Sequence, residues 1–149
     1  MSELRDLYQE MILDHGKRPR NHRPLEGADR QADGYNPLCG DKITVFLNLD
    51  GETVREVTFS GSGCAISQAS ASMMTECLVG KTLEEAQVLF ERFHALVTDD
   101  DAADSDQQLG KLVVFSGVRD FPVRVKCATL AWHTLQAALK QQDEAVTTE

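Results

Sequence analysis

Residues 35–67 read YNPLCGDKITVFLNLDGETVREVTFSGSGCAIS, and their pattern decides the fold. Ile43, Val45, Leu47 and Leu49 alternate with Thr44, Phe46 and Asn48, the period-two signature of a half-buried strand. The short "DGE" then leads into Val54, Val57 and Phe59, so the stretch is expected to form a β-hairpin. The hairpin is bracketed by two cysteines. Cys39 stands two residues before a carboxylate, Asp41, across a glycine in a polar turn, and Cys64 follows "GSG" where a helical pattern begins.

On the N-terminal side, Leu4, Leu7, Tyr8, Met11 and Ile12 lie along one face of a helix, which should end in "HGKRPRNHRPLEG". That segment is read as a loop with a basic patch, because four basic side chains fall within residues 17–23. On the C-terminal side, "CAISQASASMMTECLVG" and "TLEEAQVLFERFHALV" have helical spacing, the second with Thr82 and Glu85 in a capping-box pattern. "TDDDAADSDQQLG", about residues 98–110, carries five aspartates and is read as a solvated loop, with a short helix allowed toward its end. A last helix starts at a proline in "FPVRVKCATLAWHTLQAALKQQ", and the tail 143–149 is expected to fray.

The whole of residues 1–149 is expected to make one domain, a length sufficient for one apolar core. With 42% hydrophobic and 26% charged residues and no apolar run near the ~20 residues of a membrane helix, no membrane association is expected. The start "MSELRDLYQEM" has no basic region followed by an apolar one, so a cytoplasmic location with reduced thiols is expected. A net charge of -9 opposes a phosphate backbone, and no nucleic-acid partner is expected.

Three of the four cysteines carry the chemistry. Cys64 and Cys127 each fall where a helix is expected to begin, with free N–H groups and the positive end of the helix dipole to favour thiolate. Thiolate is the form that binds a soft or borderline metal and attacks sulfur, so the three cysteines brought together would make a metal site or a nucleophile cluster, with Asp41 available as a fourth ligand beside Cys39 because Gly40 allows a tight turn. Cys77 lies thirteen positions after Cys64, about 220° round the helix, and is read as a packing residue. The spacings are too wide for a CxxC signature, so on the residues alone a metal site and scattered core cysteines remain equally open. His15, His22, His94 and His133 have no partner at ligand spacing and are read as surface or partner-contact groups; Arg18, Arg20 and Arg23 are read as a solvated patch. The serines at 67, 70 and 72 lack a nucleophile elbow and are read as helix-packing residues.

Taken together, "NPLCGD", "GSGCAISQASASMM" and "RVKCATLAW" resemble, in order, the three cysteine motifs of the NifU N-terminal/IscU-like family. The resemblance runs from about Tyr8 to Leu139 and implies an α+β fold, a small mainly antiparallel sheet packed against helices with a metal site at one exposed end. It implies Cys39, Asp41, Cys64 and Cys127 as metal ligands. In the scaffold branch a histidine directly precedes the third cysteine and an LPPVK-like motif lies nearby; here "DFPVRVKC" puts Lys126 in the histidine's place and keeps only a fragment of the motif. The segment between Cys64 and Cys127 is also longer, by about a helix and a loop. These departures resemble the SufU-type branch, which implies Zn2+ at the site, a SufS-like PLP-dependent cysteine desulfurase as sulfur donor, a downstream iron-sulfur scaffold as recipient, and Cys39 as the cysteine that leaves the metal to carry the sulfur. Arg124 and Lys126 are expected to offset the negative charge of such a site. The alternative reading is a scaffold that builds a transient iron-sulfur cluster on the same ligands.

Overall fold

A computed structural model describes residues 2–98, 109–141 and 145–147. The expected hairpin is its centre: strand β2, Asp41–Asp50, pairs antiparallel with β3, Thr53–Ser62, from Lys42↔Ser62 to Asp50↔Thr53. The inward residues Ile43, Val45, Leu47, Val57 and Phe59 are all buried. Val54 and Val57 are three apart yet share the core, and the pairing explains it. The register shifts between Asn48 and Leu49, so that Arg55 is passed over between Val54 and Glu56, and the resulting bulge restores Val54 to the buried face.

Helix α1, Ser2–Lys17, precedes the sheet, and helices α2, Ala65–Leu78, and α3, Leu83–Thr98, follow the hairpin. The capping box opens α3: the Thr82 Oγ1 accepts the Glu85 N–H at 3.1 Å, and Glu85 Oε1 accepts the Thr82 N–H at 2.9 Å. Helix α4, Pro122–Leu139, starts at its proline, and packs on the sheet, α2 and α3. Trp132 is fully buried there, stacked on Phe93 at 4.7 Å, with its indole N–H donated to Ser70 Oγ at 3.1 Å. Ser70 in turn donates to the Ala128 carbonyl at 2.6 Å, so the small serines of α2 do close helix-to-helix packing, as expected of them. Gly16 plays the same part between α1 and α2, where a Cβ would sit 3.0 Å from that of Ala65.

Three features depart from the sequence reading. Strand β1, Arg30–Asn36, is not foreshadowed by its residues, because "RQADGYN" is polar and holds a glycine; pairing with β2 from Arg30↔Leu47 to Asn36↔Asp41 makes it a strand. Its glycine has a packing reason. A Cβ on Gly34 would collide with Thr134 Oγ1 and come within 3.1 Å of Leu130 Cδ1, so only glycine lets α4 lie this close to the strand. Second, "GKLVVFSGVRD" forms a 3-10 helix over Gly110–Asp120 that buries Leu112, Val114, Phe115 and Val118. Third, the tail does not simply fray: β4, Val146–Thr147, pairs parallel with Gly34 and Tyr35 and completes the order β3-β2-β1-β4. The sheet is otherwise antiparallel, an α+β arrangement as the resemblance implied. Residues 99–108 of the acidic stretch lie outside the described residues. Among those described, no helix is long and apolar enough to cross a membrane.

Gly34→Ala should destabilise the fold by about 1–3 kcal/mol through overpacking against α4. Urea denaturation reads this directly, and an unchanged midpoint would mean that α4 does not press on the strand at this position.

Candidate metal centre

One end of the sheet gathers the cysteines. The turn at residues 37–40 joins β1 to β2, closed by the Cys39 N–H on the Asn36 carbonyl at 3.2 Å, with Gly40 in the left-handed region at φ +70°. Asp41, the next residue, is buried at 2% exposure at the start of β2. The neighbouring β3 ends at the same edge and delivers Gly63 and Cys64. Cys64 is the N-cap of α2, with extended backbone and its Sγ accepting the Ser67 N–H at 3.4 Å. Helix α4 brings Cys127, also 2% exposed, across from the other side.

These placements bring ligand atoms of Cys39, Asp41 and Cys127 within 4.8 Å of one another, with the Cys127 and Cys39 sulfurs 3.2 Å apart. Cys64 Sγ falls outside that group of three but lies 3.9 Å from Asp41 Oδ2. All four cysteines of the chain are free thiols, and Cys77 packs against the hydrophobic core, as its helical position suggested. A tetrahedral zinc with Zn–S bonds of about 2.3 Å and a Zn–O bond of about 2.0 Å needs ligand atoms roughly 3.5–3.8 Å apart. The S–S distance of 3.2 Å and the S–O distance of 3.9 Å lie on either side of that range; the donor set of three sulfurs and one carboxylate suits zinc's borderline character, and Cys64 Sγ, outside the 4.8 Å group, would have to close in to complete a tetrahedron.

Asp41 is the hinge of the cluster. Its Oδ1 accepts the Cys64 N–H at 2.8 Å, and a Cβ on Gly63 would stand 2.5 Å from the same oxygen. On its other side, the Asn36 side chain, fully buried, directs Nδ2 to both Asp41 Oδ2 and Cys127 Sγ at 3.4 Å. Sequence reasoning does not reach Asn36. It stands at the head of "NPLCGD", but an asparagine before a proline reads as turn chemistry, and only the fold reveals which groups it meets.

Several acids are crowded together at this end of the sheet. The Cys64 thiol is lowered from 9.0 to about 7, first by a hydrogen bond from Cys127, against burial, with help from the Ser67 and Ile66 N–H groups and opposition from the Asp41 charge. Cys127 is pushed up, by Cys64 first, then by burial and Cys39. This corrects the expectation for Cys127. Helix α4 begins at Pro122, so Cys127 sits in the second turn, beyond the free N–H groups and the dipole's strongest field, and apart from the Asn36 Nδ2 donor at 3.4 Å nothing among the described residues there favours its thiolate without an added positive charge. Arg124 does not supply it: the guanidinium covers the Phe121 ring at 4.3 Å on the exposed start of the helix.

The other candidates are also relocated. His15 is not in a surface loop but in the last turn of α1, 5% exposed, its Nδ1 2.7 Å from Ser72 Oγ, and burial pushes its pKa down. His22 lies 3.0 Å from the Gly61 carbonyl. His94 and His133 meet edge-to-face at 5.8 Å between α3 and α4, a contact that sequence distance hid. The basic patch is partly neutralised by Arg20–Asp14 and Arg23–Glu56 ion pairs, both at 2.8 Å.

Known proteins share this geometry's sequence and fold. The NifU-like N terminal domain family matches residues 7–128. The chain is 39% identical over 145 residues to the iron-sulfur cluster assembly scaffold protein IscU of Streptococcus pyogenes serotype M1, covering 97% of this chain and 90% of that protein. It is equally 39% identical, over 142 residues and 95% of each chain, to the zinc-dependent sulfurtransferase SufU of Bacillus subtilis strain 168. A solved structure from Fervidobacterium islandicum AW-1, described as a candidate iron-sulfur cluster assembly scaffold for the SUF system, superposes with a TM-score of 0.82 at 37% identity, over 87% of this chain and 94% of that one. The chain belongs to the NifU-like N-terminal domain family, and its likeness to the latter two supports the SufU-type branch.

Gly63→Ala should displace Asp41 from the Cys64 N–H and cost about 1–3 kcal/mol, since a buried carboxylate would lose its backbone partner. A thermal melt that superposes on wild type would show that Asp41 has room to shift unharmed.

Proposed function

We propose that this member of the NifU-like N-terminal domain family is a zinc-dependent sulfur carrier. It accepts sulfane sulfur from a PLP-dependent cysteine desulfurase and hands it to a downstream scaffold for iron-sulfur cluster assembly. The observation that carries this reading is the asymmetry of the four-residue cluster: two sulfurs are fixed to helices, while the third, Cys39, rides on a turn. Cys39, Asp41, Cys64 and Cys127 would hold the ion, which when bound keeps the thiols deprotonated near neutral pH and shields them from oxidation.

The chain's own residues then divide the work. Cys64 and Cys127 anchor, because moving either would disturb the start of α2 or the second turn of a helix whose next residues are buried. Cys39 follows Leu38, 61% exposed, and precedes a glycine at positive φ, so it can swing outward with little loss of packing. Its thiolate attacks the terminal sulfur of the donor's persulfide. A new S–S bond forms on Cys39, the donor's S–S bond breaks, and the donor cysteine leaves as a thiolate with that electron pair; no external oxidant or reductant is needed. Asp41, an oxygen donor among sulfurs, keeps the site more exchangeable than four thiolates would.

The relative named as a scaffold is as similar as the one named as a sulfurtransferase, and the same ligands would serve either. Colour and metal separate the two: colourless protein with one zinc per chain supports sulfur transfer, whereas brown anaerobic protein with stoichiometric iron would make it a scaffold.

Incubation with desulfurase, PLP and cysteine should make the protein about 32 Da heavier, one sulfur atom, with the adduct mapped by peptide mass spectrometry to Cys39. Cys39→Ser should stay folded, carry no adduct and fail to stimulate the desulfurase. An adduct on Cys64 or Cys127 would overturn the assignment. Replacing Cys64 or Cys127 by Ser should lose zinc and lower the melting temperature, while Cys77→Ser should keep the metal; zinc retained in both of the first two variants would remove them from the ligand set.

A further inference from the structure

The three sulfurs of the cluster are unequally supplied with N–H donors. Cys64 Sγ accepts the Ser67 backbone N–H at 3.4 Å, and Cys127 Sγ accepts Asn36 Nδ2 at 3.4 Å. Among the described residues, Cys39 Sγ has no N–H donor; it lies against the Cys127 thiol. Asn36 is fully buried, and its amide is turned so that Nδ2 serves Asp41 Oδ2 and Cys127 Sγ together while Oδ1 is left without a partner. Burying an unpaired acceptor is costly, so the opposite orientation must cost more. It would aim Oδ1 at the Asp41 carboxylate and at a thiolate, both repulsive to it. The side chain is therefore held for donation, to two groups that are anionic together when the cluster holds a cation.

From this we propose that Asn36 is a positioning residue that selects which sulfur stays and which leaves. An N–H bond to a metal-bound thiolate draws charge from sulfur, which makes that sulfur less nucleophilic and disfavours its departure as a free, fully charged thiolate. Cys127 is restrained in this way by Asn36 and Cys64 by the N-terminus of α2. Cys39 is not restrained, and it is the most electron-rich and most releasable of the three. The selection is thus electronic as well as a matter of turn mobility. The same amide also ties Asp41, the first residue of β2, to α4, so strand end and helix keep their spacing when Cys39 moves. This inference rests on the sulfur-carrier reading, and it adds a residue that is neither ligand nor nucleophile.

The test uses zinc-loaded full-length protein and limiting iodoacetamide, with the alkylated cysteine identified by peptide mass spectrometry. In wild type, Cys39 should react first. In Asn36→Leu, which matches the shape without the donor, and in Asn36→Ala, the share of alkylation at Cys127 relative to Cys39 should rise by about tenfold, the size expected for one charge-assisted hydrogen bond. A second measurement needs no variant. In wild-type protein loaded with an NMR-active cadmium isotope, the Asn36 side-chain amide proton should show a scalar correlation to the metal through the N–H···S bond, which a residue acting only in packing would not give. Zinc-loaded variants that keep the wild-type order of alkylation, with no such correlation in wild type, overturn the role of Asn36. If wild type itself reacts first at Cys127 or Cys64, it is the assignment of Cys39 as carrier that fails instead.

Discussion

The carboxylate of Asp41 accepts the backbone N–H of Cys64 at 2.8 Å, and through that bond the beginning of one strand is tied to the beginning of a helix. The constraint reaches in both directions. Gly63 must lack a side chain for the approach, Gly61, at φ +119°, must lack one too because a Cβ there would strike the Lys42 backbone, and Asn36 closes the far side of the carboxylate. A buried ionised group is tolerable only when hydrogen-bonded or paired, and Asp41, at 2% exposure, has N–H donors on both sides. The sheet end, the cap of α2 and the second turn of α4 are therefore arranged around one carboxylate, and the cysteines are positioned as a consequence.

That arrangement concentrates acids. Cys64 is shifted down and Cys127 up, each chiefly because of the other, so the group cannot ionise together unless positive charge enters. A divalent cation would relieve that crowding, in keeping with the zinc site proposed for Cys39, Asp41, Cys64 and Cys127. The same physics bears on the proposed sulfur transfer. Sulfurs held by helices and N–H donors are stabilised in place, and the sulfur on the turn keeps the freedom to exchange one partner for another.

How much of the molecule is legible in its sequence depends on where each signal resides. The hairpin is readable from alternation, and the capping box of α3 from Thr82 and Glu85, since both depend on residues close in sequence. Strand β1 is not, because "RQADGYN" becomes a strand only by pairing with β2 and by admitting α4 over Gly34. The buried stretch 110–120 escapes for a related reason: a 3-10 helix has neither of the two periodicities that a sequence scan seeks. His15 reads as a loop residue, yet α1 runs to Lys17 and carries it against Ser72. In the site, Cys39, Asp41, Cys64 and Cys127 are marked by residue type and by resemblance. Asn36 is not, as its meaning lies in contacts 5 and 91 residues away.

The proposed mechanism turns on one zinc ion that Cys39, Asp41, Cys64 and Cys127 would share, with the Cys39 sulfur as the one that departs. X-ray absorption at the zinc edge measures that ligand set directly. Three sulfurs at about 2.3 Å and one oxygen at about 2.0 Å are predicted in the resting protein, falling to two sulfurs in Cys39→Ser. Four sulfurs, or a resting sulfur count that Cys39→Ser leaves unchanged, would contradict it.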